Sequence, residues 1–64
     1  MISYKPFFET LKNKNVNQYS IMHHLNISSS IFNRIKNDKY ISLETIEKLC
    51  VALDCKINDI VSVF

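Results

Sequence analysis

Ser29, Ser30, Asn33, Arg34 and Asn37 carry the side chains in this sequence best suited to chemistry. Arginine can grip guanine O6 and N7 with two hydrogen bonds, and asparagine can do the same for adenine N6 and N7. Serine hydroxyls bond to bases or phosphates, and their small size lets a backbone come close. On a helix starting at Ser29 the five fall within an arc of about 140°, while Ile31, Phe32 and Ile35 occupy roughly 200–300°. The stripe is either a surface that reads base edges or an ordinary solvated helix face.

Other chemistries find little support. His23 and His24 are adjacent, so on a helix they diverge by about 100° and cannot chelate as an i,i+4 pair does. Cys50 and Cys55 are the only cysteines. One falls in a helix and the other just past its end, a poor placement for a local disulfide, and both read as small buried apolar residues. No metal site is expected. Neither a Ser-His-Asp nor a Cys-His pairing can be assembled, and glycine is absent, so no glycine loop can cradle phosphates. The carboxylates are scattered, and so small a chain has little room for a pocket of ~300 Å³ beside its core. The expectation is therefore no enzyme, no cofactor and no small-molecule ligand. Asn26-Ile27-Ser28 fits the N-glycosylation pattern, which carries no weight without a secretory signal.

The elements that position the stripe are short helices. Ser3 is a plausible N-cap for a first helix reaching about Lys14, with Pro6 tolerated in its first turn and Phe7, Phe8 and Leu11 facing inward. Asn15 or its neighbours close it. Asn17 can cap a second helix with Ile21, Met22 and Leu25 inside. Asn26 then suits the left-handed conformation of a tight turn. Ser28 caps a third helix running to about Asn37. Asp38-Lys39-Tyr40-Ile41 reads as a loop and Ser42 as the cap of a fourth helix. There Leu43, Ile46, Leu49, Cys50 and Leu53 share a face with period 3.6. A fifth helix is predicted from about Ile57, with Asp59 in its first turn. Ser62-Val63-Phe64 can instead be extended, beside Met1-Ile2. The expected class is all-α, five helices in one domain spanning 1–64, with two of them joined by a tight turn over residues 17–37.

Length and charge agree with this. Sixty-four residues sit near the lower limit for folding without staples, and 47% hydrophobic content is ample for a small core. No apolar run approaches the ~18 residues a membrane span needs, and the N-terminus lacks a signal-peptide pattern, so a cytoplasmic, nucleoid-associated protein is expected. Residues 1–40 hold six cations (Lys5, Lys12, Lys14, Arg34, Lys36, Lys39) against Glu9 and Asp38. Residues 41–64 hold Lys48 and Lys56 against Glu44, Glu47, Asp54 and Asp59. That asymmetry fits a domain meeting phosphates on one side, or chance in a short chain.

Asn17-Gln18, Asn26-Ile27-Ser28 and Arg34-Ile35-Lys36-Asn37-Asp38 together resemble the helix-turn-helix of the phage-repressor-like, XRE or Cro-type, DNA-binding family. The run from Ser42 to Cys55 resembles that family's fourth helix and the link to its fifth, and Ile57-Asn58-Asp59-Ile60 matches the fifth. Ser3-Tyr4-Lys5-Pro6-Phe7 resembles a branch of very small stand-alone members. The resemblance implies that Ser29, Ser30 and Arg34 read bases, with Asn33 as an adjunct. It also implies that Gln18 bonds a phosphate and that Asn37 and Lys39 belong to a backbone-contacting loop. Asn17 and Ser28, at the two helix N-termini, join the expected phosphate set.

The departures are Met22 where the family prefers alanine, and Asn26 and Asp38 in place of two glycines. Asp38 sets a negative charge near the expected phosphate path, beside Lys36 and Lys39. Ile31 either touches a thymine methyl or packs on the second helix. Tyr19 and Tyr40 are phosphate donors or half-buried core neighbours.

Two functions follow. One is a sequence-specific transcriptional regulator of double-stranded DNA, working as a homodimer because one half-site binds feebly. Its candidate interface is the apolar tail, Ile57, Ile60, Val61, Val63 and Phe64, with or without Met1 and Ile2, unless these complete a monomer's core. The other is a protein-interaction module, antitoxin-like or an accessory subunit, that keeps the fold with weak or no DNA binding.

Overall fold

A chain without glycine must end its helices with other residues, and here asparagine and aspartate do it. The computed structural model describes all residues, 1–64. The elements are β1 (Ile2–Ser3), α1 (Lys5–Asn13), α2 (Gln18–His24), α3 (Ser29–Lys36), α4 (Leu43–Leu53), a 3-10 turn (Ile57–Asp59) and β2 (Ser62–Val63). Asn15, Asn26, Asp38 and Asp54 have positive φ, between 49° and 57°. At each, the left-handed residue donates to the carbonyl three places back and the next residue to the carbonyl five back. The longer bonds are Val16 to Leu11 at 2.9 Å, Ile27 to Met22 at 2.9 Å, Lys39 to Arg34 at 2.8 Å and Cys55 to Cys50 at 3.0 Å. This is the Schellman closure, which satisfies carbonyls that the helix leaves unpaired.

Three N-termini are capped as the residue types predict. Asn17 Oδ1 accepts from the Tyr19 and Ser20 amides, Ser28 Oγ from Ile31, and Ser42 Oγ from Thr45. α1 differs. Tyr4, one place after the expected Ser3, holds the cap position without a side-chain capping bond. Its amide donates instead to Asp38 Oδ1 at 3.0 Å, and Ser3 pairs within the β ladder while its hydroxyl accepts from Lys5.

The predicted fifth helix is a single 3-10 turn, so the fold has four α-helices and a short antiparallel ladder rather than five helices. Asp59 Oδ2 accepts from the Lys56 amide at 3.1 Å and tightens the turn. The Asp59 carbonyl accepts from Thr10 Oγ1 at 2.7 Å, and the Ile60 carbonyl from the Phe7 amide at 3.1 Å. With those carbonyls engaged by α1, a helix has no ladder to continue. β-branched Val61 and Val63 favour the extended form, and Ile2 pairs with Val63 and Ser3 with Ser62.

Tyr4, Phe7, Leu11, Ile21, Met22, Phe32, Ile35, Ile46, Leu49, Leu53 and Ile60 form one core. Phe8, Leu25 and Cys50 are half-buried at its margin. Leu43, expected inside, stands 72% exposed in the first turn of α4. Thr45 is buried in its stead, its hydroxyl paired with Ser42 Oγ at 3.0 Å. That bond removes the cost of burying a polar group there. No helix is long and apolar enough to cross a membrane.

Candidate nucleic-acid interface

α3 is held from behind. Phe32 and Ile35 are buried, and the Tyr19 ring of α2 meets Phe32 edge to face with centroids 5.4 Å apart. Lys36 Nζ lies 4.6 Å from the Phe32 centroid and 6.0 Å from that of Tyr19, so the cation steadies the α2–α3 junction from outside. With that side fixed, Ser29, Ser30, Asn33, Arg34 and Asn37 are all exposed on the other, and Ile31 is half-buried against the core.

Several of these side chains already have partners. Ser28 Oγ caps α3 and pairs with Ser30 Oγ at 3.0 Å. Asn37 Nδ2 donates to the Asn33 carbonyl at 2.8 Å, and Arg34 Nε to the Tyr40 carbonyl at 2.7 Å. Arg34 therefore braces the loop through Nε while its two terminal nitrogens make no bond within the fold. The side chains of Ser29, Asn33 and Lys39 are likewise unpartnered within the fold. At α2, the Asn17 carboxamide is committed to capping and Gln18 is half-buried.

The loop after α3 is fixed by contacts that the sequence did not reveal. Tyr4, 1% exposed, donates from Oη to the Lys39 carbonyl at 2.7 Å. Burial raises its phenol above the ordinary pKa of 10.0; the Ile41 amide and the Arg34 charge oppose this, while the Asp38 charge adds to it. Asp38, expected to trouble a phosphate path, turns its carboxylate onto the Tyr4 amide. The one available signal was an aspartate where a glycine is customary. Beside this junction a groove is lined by Ser3, Lys5, Phe8, Glu9, Lys12, Lys36 and Asp38, gathering three lysines next to the loop. Glu44–Lys48, at 3.8 Å on α4, is the one ion pair, so no cation of residues 1–40 is bridged to a carboxylate.

The family model of the Cro/C1-type HTH DNA-binding domain matches residues 9–64. The chain belongs to that family. Among solved structures, the transcriptional regulator VanUg (crystal form II) superposes with a TM-score of 0.94 at 21% identity, covering 98% of this chain and 84% of that one. No curated protein matches the sequence. In this structure α2 and α3 follow one another directly, joined by the reversal at Asn26.

The apolar tail divides in this structure. Ile60 is wholly buried in the monomer's core, which removes it from the set of interface candidates. Val61 is half-buried, packed on the core. Val63 and Phe64 stand 80% and 70% exposed at the end of the ladder, next to exposed Met1.

Proposed function

We propose that residues 1–64 form one DNA-binding unit of a transcriptional regulator that reads the major groove with α3. The observation that carries this is the exposure of Ser29, Ser30, Asn33 and Arg34 on one side of a helix whose other side, Phe32 and Ile35, is buried in the core. In this reading Asn33 and the terminal nitrogens of Arg34 meet base edges, and the serines allow close approach. Lys39, Asn37, Ser28, Gln18 and the backbone at Asn17 contact phosphates and set the register. Family membership and the likeness to a transcriptional regulator support the assignment. One half-site gives few phosphate contacts, so the unit acts as a homodimer on a pseudo-palindrome, with Val63 and Phe64 in the contact between copies. It works in the cytoplasm, on the nucleoid. The engaged carboxylate of Asp38 weakens the case for an interaction module without DNA affinity.

The test is fluorescence anisotropy on a duplex selected from a random pool, titrated across salt concentrations. DNA binding gives a linear fall of log K with log salt, whose slope counts the phosphates neutralised. Failure to bind any duplex at low salt would overturn the assignment. Sedimentation at micromolar concentration with and without Phe64→Ser checks the dimer, which a strictly monomeric wild type would exclude.

A further inference from the structure

The reversal at the end of α4 brings together two residues that their spacing in the sequence holds apart. Continued as a helix, five residues would carry Cys55 about 7.5 Å along the axis from Cys50. Asp54 instead takes the left-handed conformation with φ 49°, and the Cys55 amide returns to the Cys50 carbonyl at 3.0 Å. In a Schellman closure the two residues so joined press their side chains together, commonly as an apolar pair. Leu11–Val16 in α1 and Met22–Ile27 in α2 follow that habit. At the end of α4 the pair is two thiols. Both cysteines are free and half-buried, packed at the rim of the core.

We propose that Cys50 and Cys55 form a dithiol site that closes to an intramolecular disulfide on reaction with a low-molecular-weight disulfide. One cysteine thiolate attacks a sulfur of the oxidant and expels one small thiol, leaving a mixed disulfide. The second cysteine gives up its proton, bonds to the first protein sulfur and displaces the other small thiol. Two electrons pass to the oxidant's sulfur–sulfur bond, and two protons leave with the released thiols. Burial, then the neighbouring Cys50 and Asp59, hold the Cys55 proton on more firmly than usual, against the pull of Lys14. The backbone reversal serves this chemistry, because a disulfide needs Cα atoms about 4.4–6.8 Å apart with converging side chains.

The experiment equilibrates the full reduced chain in a series of glutathione redox buffers, followed by acid quench, alkylation and intact mass measurement. The expected product is lighter by two hydrogens, carries no glutathione and runs as a monomer on a non-reducing gel. Cys50→Ala and Cys55→Ala should each retain one glutathione. In denaturing urea the equilibrium constant for closure should fall at least about tenfold, because a flexible segment supplies a lower effective concentration than a fixed turn. Glutathione retained on both cysteines, covalent dimers, or an unchanged constant in urea would each overturn the proposal.

Discussion

The C-termini of α3 and α4 share one backbone and serve opposite ends. Both finish at an aspartate with positive φ, and both return an amide to the carbonyl five residues back. At α3 the paired positions hold Arg34 and Lys39, two exposed cations with no bridging carboxylate. At α4 they hold Cys50 and Cys55, half-buried against the core. The two aspartates differ as well: Asp38 ties the loop to the Tyr4 amide, whereas the Asp54 carboxylate has no bond within the fold. The closure needs only a residue that tolerates left-handed geometry. What it presents to solvent depends on the two side chains it joins: two cations at the end of α3, two half-buried thiols at the end of α4.

The largest effect that would sharpen this contrast is on DNA binding. Arg34→Ala should weaken a selected duplex by ~1–3 kcal/mol and flatten the preference over a scrambled one. Lys39→Ala should weaken both duplexes alike and lower the salt slope by about one. Equal losses on both duplexes for Arg34→Ala would reduce that residue to a brace for Tyr40. Next come the left-handed positions. Asn15→Gly, Asn26→Gly and Asp54→Gly should each stabilise by up to ~1 kcal/mol in urea unfolding, since they relieve strain and lose no bond. Asp38→Gly should fall about 1 kcal/mol short of the other three, because it also removes the bond to the Tyr4 amide. Equal gains at all four positions would erase the distinction between the two helix ends.

A pH titration probes the same junction. The phenol of Tyr4 ionises above its ordinary 10.0 in the folded chain, so the folded state holds that proton more tightly. Its contribution is complete below pH 10.0 and is lost as pH rises through the raised value. Tyr4→Phe should cost about 1 kcal/mol at neutral pH and make the alkaline loss shallower in denaturation curves. Cys55, raised from 9.0, adds a loss of the same sign that Tyr4→Phe leaves in place. The smallest effect is expected at the end of α4. Lys56→Ala should change DNA affinity by less than about 0.5 kcal/mol and leave the salt slope alone. A drop like that of Lys39→Ala would mean that both ends meet the duplex.

Much of this was legible locally. Asn17, Ser28 and Ser42 announce three helix starts, Asn26 announces the turn, and the phase of Ser29, Asn33 and Asn37 against Phe32 and Ile35 orients α3. These depend on partners within a few residues, so the order of residues alone decides them. Tertiary structure decided the rest. Nothing local pairs Ile2 with Val63, turns Asp38 onto Tyr4 or stops the last helix after one turn. The exposure of Leu43 and the burial of Thr45 and Ile60 also depend on which surfaces meet once the helices pack. Such outcomes turn on groups far apart in the chain competing for the same carbonyl, amide or patch of core, and that competition is resolved only in three dimensions.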